Sequence, residues 1–201
     1  MLYNNRKSFV SFLQSAIEQG FYVDYTPSAN DLTLLETIYD EEFPEQYRIA
    51  CERFAIPQNL IKSGANVNWL DKGGLNILKQ AINVMARPQI VKMIIERTED
   101  INQEHYNRGF GKRTAFGTAA INFIYNGNAK EYTYYYNICK MLLDAGADPY
   151  RDHEWQNLPT LTLKSKVKNT KETLDKLIYD VMKEKIRPDM SSKGSSFDYE
   201  L

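Results

Sequence analysis

The sequence predicts an all-α fold: a solenoid of about four to five helix-turn-helix repeats, with enlarged helix-helix connections in alternate repeats. Residues 56–68, 90–102 and 138–150 align without gaps. In each segment an aliphatic residue stands eight positions before a helix terminator, and apolar residues stand three to five positions before it. This spacing places the apolar side chains on one face of a helix. A weaker copy precedes these segments, so the terminators fall at residues 20, 64, 98 and 146.

The terminators themselves indicate how the helices end. Gly20, Gly64 and Gly146 stand where a helix can finish with a left-handed residue, which glycine adopts without steric cost. Thr98 occupies the same position in the middle copy. We therefore expect a less comfortable helix end at Thr98 than at the three glycines.

A second pattern opens the first helix of each repeat. It includes Gly74, Leu78 and Ala81 in one copy, with Asp71 before them, and the other copies place Thr33 with Leu35 and Thr114 with Ala119 at matching positions. With the Gly-Ala-Asn-Val-Asn turn at 64–68, the pattern resembles the ankyrin-repeat family, whose motifs are G-x-T-P-L-H-x-A and Gly-Ala-Asp-Val-Asn. The family's His is missing throughout, and its Pro has a counterpart only at Pro159. The resemblance covers about residues 8–185 and implies a solenoid with a concave groove beside projecting turns.

The domain prediction follows from this phasing. Residues 1–188 form a single repeat domain, with an N-terminal capping helix at about 6–19 and repeats at about 24–68, 69–102, 103–150 and 151–187. In the last repeat Thr170 is the predicted N-cap of a helix. That helix carries an apolar stripe made of Leu174, Leu177, Ile178, Val181 and Met182. Residues 189–201, rich in Ser, Gly and Asp, are predicted to be a flexible tail.

Two repeats are longer than the third. The first helix starts 22 residues before the terminator Thr98, but 31 and 32 residues before Gly64 and Gly146. The extra residues fall at about 39–48 and 126–135. They are interpreted either as loops on one face of the solenoid or as about two additional turns of helix.

Composition and charge limit the function classes. The formal net charge is −1, so we expect no whole-molecule attraction to nucleic acid or anionic lipid. Cys51 and Cys139 are interpreted as buried reduced thiols. No apolar stretch is long enough to span a membrane, and the N-terminus lacks the pattern of a secretory signal. We therefore expect a cytoplasmic monomer, and the resemblance to short divergent ankyrin proteins also suggests a bacterial effector delivered into the host cytosol.

The sequence offers no recognisable catalytic or metal-binding constellation. His105 and His153 lie in predicted turns without further ligands at metal spacing. We therefore predict a non-catalytic protein without cofactor or metal, and an enzyme with an unrecognised site stays a third alternative. The basic turn at 108–113 supports a second alternative, because its cations could bind a nucleic acid or another phosphorylated ligand.

The leading hypothesis is a protein-interaction module that binds another protein through its turn tips and concave groove. Successive turns carry one or two large aromatic side chains, and Trp and Tyr are enriched in binding hot spots. Alternatively, Trp69 and Trp155 could fold back and cap helix ends. The candidate partner-binding residues are Tyr25, Trp69, Asp71, His105, Tyr106, Arg108, Phe110, Lys112, Arg113 and Trp155.

Overall fold

The computed structural model describes residues 2–20, 24, 32–70, 76–107, 111–125, 128–151 and 165–186. The chain is mostly helical, which confirms the predicted all-α class. Its helices are α1 (Leu2–Glu18), α2 (Leu34–Tyr39), α3 (Glu45–Arg53), α4 (Ile56–Lys62), α5 (Ile77–Asn83), α6 (Pro88–Ile95), α7 (Ala115–Tyr125), α8 (Ala129–Asp144) and α9 (Ser165–Ile186). A short antiparallel hairpin of β1 (His105–Asn107) and β2 (Gly111–Arg113) lies between α6 and α7.

The helices pack in two rows. In the first row α2 contacts α5, α5 contacts α7 and α7 contacts α9; in the second row α4 contacts α6 and α6 contacts α8. Contacts also join the rows, between α2 and α4, α5 and α6, and α7 and α8. Both rows contribute fully buried side chains to one core, which include Ile38, Leu78, Phe116, Leu60, Ile90 and Leu142. Burial of these apolar faces is the main force that holds the rows together.

The first-row helices α2, α5 and α7 begin in the same way. Each follows a polar residue whose side-chain oxygen accepts a hydrogen bond from the backbone N–H three residues further on. These residues are Thr33, Asn76 and Thr114, at donor–acceptor distances of 3.3, 3.0 and 3.0 Å respectively. At α2 the Glu36 carboxylate also accepts from the Thr33 N–H and completes a capping box. The three aligned residues therefore make the same N-cap hydrogen bond at the start of their helices.

The helix ends follow the predicted terminators with one difference. Gly20, Gly64 and Gly146 have φ values of 75°, 95° and 99°, which confirms the left-handed ends. Thr98 has no left-handed backbone; instead, its hydroxyl donates to the Ile94 carbonyl at 2.9 Å. The middle copy thus ends its helix with a side-chain hydrogen bond where the other copies use glycine.

Both sets of extra residues include helix. Residues 40–44 form a turn and are followed by α3, which has no counterpart in the 34-residue repeat. In the second case α8 has 16 residues, whereas α4 has seven and α6 has eight. Of the two alternatives left open by the sequence, additional helix is correct for residues 129–135 of the second set, whereas the first set combines the turn at 40–44 with the start of α3.

The last helix begins earlier than predicted. Because α9 starts at Ser165, Thr170 lies inside the helix, and its assignment as the N-cap is wrong. The side chain of Thr170 is buried, and its hydroxyl donates to the Ile124 carbonyl of α7 at 3.4 Å. The apolar stripe is confirmed, since its members pack into the core. Residues 189–201 lie outside the described residues, as does Pro159.

Candidate interaction surface

The turn before α7 forms the β-hairpin. His105 pairs with Arg113 and Tyr106 with Lys112 in antiparallel register. The Lys112 side chain is exposed, whereas Arg113 is half-buried. At the base of the hairpin the fully buried Lys79 of α5 donates from Nζ to the Arg113 carbonyl at 3.1 Å. The hairpin is thus anchored to the first helix row and presents Lys112 to solvent.

The turn after α4 exposes two large apolar side chains. Trp69 is 38% exposed and Leu70 is 41% exposed. Leu70 also forms an isolated antiparallel bridge with Asn76, so this turn begins as a narrow hairpin. Trp69 is therefore not completely buried against a helix end.

A second exposed aromatic residue was missed by the sequence interpretation. Tyr150 follows α8 and is 52% exposed, and its neighbour Arg151 pairs with Glu104 at 3.6 Å between Nε and Oε1. Tyr150 closes the third aligned segment at the position that Asn68 and Asn102 occupy in the other two. That departure from the aligned pattern was the available signal.

The turns share one internal hydrogen bond. Two residues after each terminator, a side-chain oxygen accepts from the backbone N–H two residues further on, an arrangement known as an Asx-turn. The donor–acceptor distance is 2.9 Å in all three turns, which pair Asn66 with Asn68, Asp100 with Asn102, and Asp148 with Tyr150. The bond fixes the direction in which the chain leaves the helix.

A further set of bonds, the turn ladder, joins each turn to the next. The Asn68 side chain donates to Arg97 O at 3.1 Å and accepts from Glu99 N at 3.0 Å. Asn102 likewise donates to Gly146 O at 3.4 Å and accepts from Asp148 N at 2.6 Å. Before them, the Asp24 carboxylate accepts from Asn66 N at 2.9 and 3.1 Å. Aligned side chains thus tie successive turns edge to edge.

Several predicted site residues cannot be assigned a place. Tyr25, Asp71, Arg108, Phe110 and Trp155 lie outside the described residues, as does His153. For His105 and Tyr106 the structure describes the backbone pairing in β1 but not the side chains. Of the candidate set, the described side chains are therefore Trp69, Lys112 and Arg113.

Helices α5 and α7 offer little open surface over most of their length. Residues 77–82 of α5 are all buried, and so are residues 115–120 of α7. Six consecutive helical residues cover more than a full turn, because each turn contains 3.6 residues. Neither stretch has an open face, although large apolar side chains are exposed elsewhere on helices, at Phe12, Ile49, Tyr125 and Tyr179.

A buried carboxylate on α3 was also missed by the sequence interpretation. Glu52 Oε1 accepts from the Tyr39 hydroxyl and from the Arg87 backbone N–H, each at 3.3 Å, and Oε2 lies 3.4 Å from Arg87 Nε. Burial raises the pKa of Glu52, and the hydrogen bond and charge from Arg87 partly offset that rise. Burial in this site also raises the pKa of the Tyr39 hydroxyl, and the Glu52 charge makes a smaller contribution in the same direction.

The extended part of α8 approaches the same region. Tyr134 is buried, and its hydroxyl donates to the Ala81 carbonyl of α5 at 3.5 Å. Burial raises the pKa of Tyr134, with smaller contributions from Tyr135 and from the Glu52 charge. The two helical insertions therefore converge on the junction between α5 and α6. Met85 in that junction has a left-handed φ of 55°.

The thiols are inert by the same physical argument. Cys51 and Cys139 are free and fully buried. Burial raises the pKa of Cys51 to about 11 and raises that of Cys139 further, which disfavours the nucleophilic thiolate. Within the described ranges, His, Cys, Asp and Glu form no group of three that could hold a metal ion. None of the described helices is long and apolar enough to cross a membrane.

The chain matches no protein-family model and no curated protein. The class of this protein is therefore defined by its fold, which is mostly helical with the helices in two contacting rows. The distinguishing features are the turn ladder and the exposed side chains beside it.

Proposed function

We propose that this chain is an ankyrin-type repeat solenoid that binds a partner protein through the tips of its inter-repeat turns. The turn ladder is the observation that carries this proposal. Aligned residues make the same hydrogen bond within each turn, and Asn68 and Asn102 make equivalent bonds to the next turn with partners shifted by one aligned position, as expected of a divergent repeat array. The two helix rows add support, because each repeat buries its apolar face against its neighbours.

The turn tips are the favoured binding surface. Trp69, Leu70 and Tyr150 expose large apolar areas there, and exposed aromatic side chains are common anchors in protein interfaces. The burial of α5 and α7 favours the turns over a groove formed by the first-row helices. Lys112 on β2 adds an exposed cation that could pair with an acidic side chain of the partner.

The experiment compares two turn variants with a matched control. A partner is captured with the wild-type chain and purified, and its affinity for Trp69→Ala, Tyr150→Ala and Tyr179→Ala is measured by calorimetry. Tyr179 is the control because it is 62% exposed but lies on α9. We expect each turn variant to weaken binding by about tenfold or more, as truncated hot-spot residues do, with the control unchanged.

The opposite result has a clear meaning. If both turn variants bind like the wild type while circular dichroism shows intact helices, the turn tips are not the binding surface. If the control weakens binding as much as the turn variants, binding is not localised to the turns.

A further inference from the structure

Helix α3 has weak local support. It has nine residues, a length at which an isolated helix is marginal in water. Its N-cap is Pro44, which provides no side-chain hydrogen bond to the first turn. It leads into Ala55, whose φ of 57° is unfavourable for a residue with a side chain. Contacts with the rest of the fold must therefore hold α3 in place.

Few side chains of α3 are buried, and its polar contacts centre on Glu52. Of the nine residues, Cys51 and Glu52 are buried. Glu52 bonds to Tyr39 at the end of α2 and to Arg87 at the start of α6, and Arg87 Nη1 donates back to the Glu52 carbonyl at 3.4 Å. Helix α3 also packs against α1 and α4. Tyr47 meets Phe9 of α1 edge-on with ring centroids 5.8 Å apart, and Gln14 of α1 donates to the carbonyl of Phe54, which follows α3, at 3.4 Å.

We propose that Glu52 acts as a latch that holds α3 against α2 and α6, and that α3 opens as a separate unit when the latch breaks. Its apolar contribution to the core is small, whereas α4 and α6 each bury several large aliphatic side chains. Elements with few buried contacts open at lower free energy than the core. Opening of α3 exposes Cys51 and leaves the two helix rows assembled.

The two free cysteines provide a probe and a control for the opening of α3. Cys51 and Cys139 are both fully buried, so a thiol reagent reaches either one only after some opening of the structure. Cys139 lies on α8, which packs against α6, α7 and α9 in the core. Modification of Cys139 therefore reports global unfolding, and modification of Cys51 reports the opening of α3.

The experiment measures both labelling rates by mass spectrometry at neutral pH. In the wild type we expect Cys51 to react at least about tenfold faster than Cys139. Glu52→Met keeps the length of the side chain but removes the acceptors, so Tyr39 and Arg87 N lose their partner. This substitution should raise the labelling rate of Cys51 by about tenfold or more and leave the labelling rate of Cys139 unchanged. Glu52→Gln retains an acceptor oxygen and removes the buried charge, so its Cys51 labelling rate should not rise above that of the wild type.

Three outcomes overturn the latch. Equal rates for the two thiols in the wild type would show that α3 opens only with the whole fold. Equal Cys51 rates in Glu52→Met and Glu52→Gln would show that the acceptors do not hold α3. If Glu52→Met does not fold, Glu52 supports the entire core, and the proposal fails.

A milder variant gives an independent check. The Arg87 side chain is 49% exposed, so Arg87→Ala removes its ion pair with Glu52 at little cost in core packing. We expect several-fold faster labelling of Cys51 with an unchanged rate for Cys139. An unchanged Cys51 rate in this variant also contradicts the latch.

Discussion

Replacing Asn68 by alanine should remove part of the turn ladder and leave the helix packing intact, so that the contribution of the ladder to stability can be measured alone. The substitution removes one hydrogen bond to Arg97 O at 3.1 Å and one from Glu99 N at 3.0 Å. A net hydrogen bond contributes about 0.5–1.5 kcal/mol, and these bonds are exposed, so we expect a loss of about 1–2 kcal/mol in the free energy of unfolding. For a chain of this size that corresponds to a decrease of roughly 2–8 °C in Tm.

Urea unfolding followed by circular dichroism measures this loss. Asn59→Ala is the matched control, because Asn59 is half-buried on α4 and its side chain makes no hydrogen bond within the described part of the chain. Asn68→Asp should fall between wild type and alanine, since it keeps the acceptor for Glu99 N but loses the donor to Arg97 O. A free energy of unfolding for Asn68→Ala within about 0.3 kcal/mol of the wild type would refute the reasoning, because that lies below the value of one hydrogen bond.

Three further substitutions test the backbone and the buried carboxylate. Gly146→Ala should lower the free energy of unfolding by about 1 kcal/mol through its φ of 99°, whereas Ala55→Gly should raise it by up to about 1 kcal/mol, both measured by urea unfolding. Equal effects of the same sign would contradict the backbone argument. For Glu52, burial in the pocket with Tyr39 and Arg87, near Arg48, Cys51 and Tyr134, raises the folded-state pKa above 4.5. Protonation of Glu52 therefore stabilises the fold fully below the ordinary pKa of 4.5, and this stabilisation is lost as the pH rises through the folded-state pKa. Glu52→Gln should therefore gain stability relative to wild type between pH 4.5 and 7, and a constant difference would contradict the shift.

The local features of the repeats could be predicted from the sequence. Glycine at a terminator implies a left-handed residue, and the structure has one at Gly20, Gly64 and Gly146. The apolar stripe of α9 was equally clear because its period is helical. Both signals are local, since each depends on residues within about one or two helical turns.

Features that depend on distant residues could not be predicted. Thr170 looks like an N-cap in the sequence, but its hydroxyl bonds to Ile124, 46 residues away, from inside the helix. Glu52 gives no local signal either, because its partner Arg87 lies 35 residues further along the chain. The choice between loop and helix for the extra residues was decided by such tertiary contacts, which override weak local propensity.

Both helical insertions contact the 34-residue segment 69–102. It contributes Arg87 to the Glu52 site of α3 and Ala81 to the hydroxyl of Tyr134 on α8. A tandem duplication of residues 69–102 would therefore place one copy beside α3 and the other beside α8, each with its contact intact. Each copy would also end in an asparagine able to bond to the following turn. In this segment the chain has a natural point at which a longer protein could evolve by duplication, or be engineered, without redesign of either neighbour.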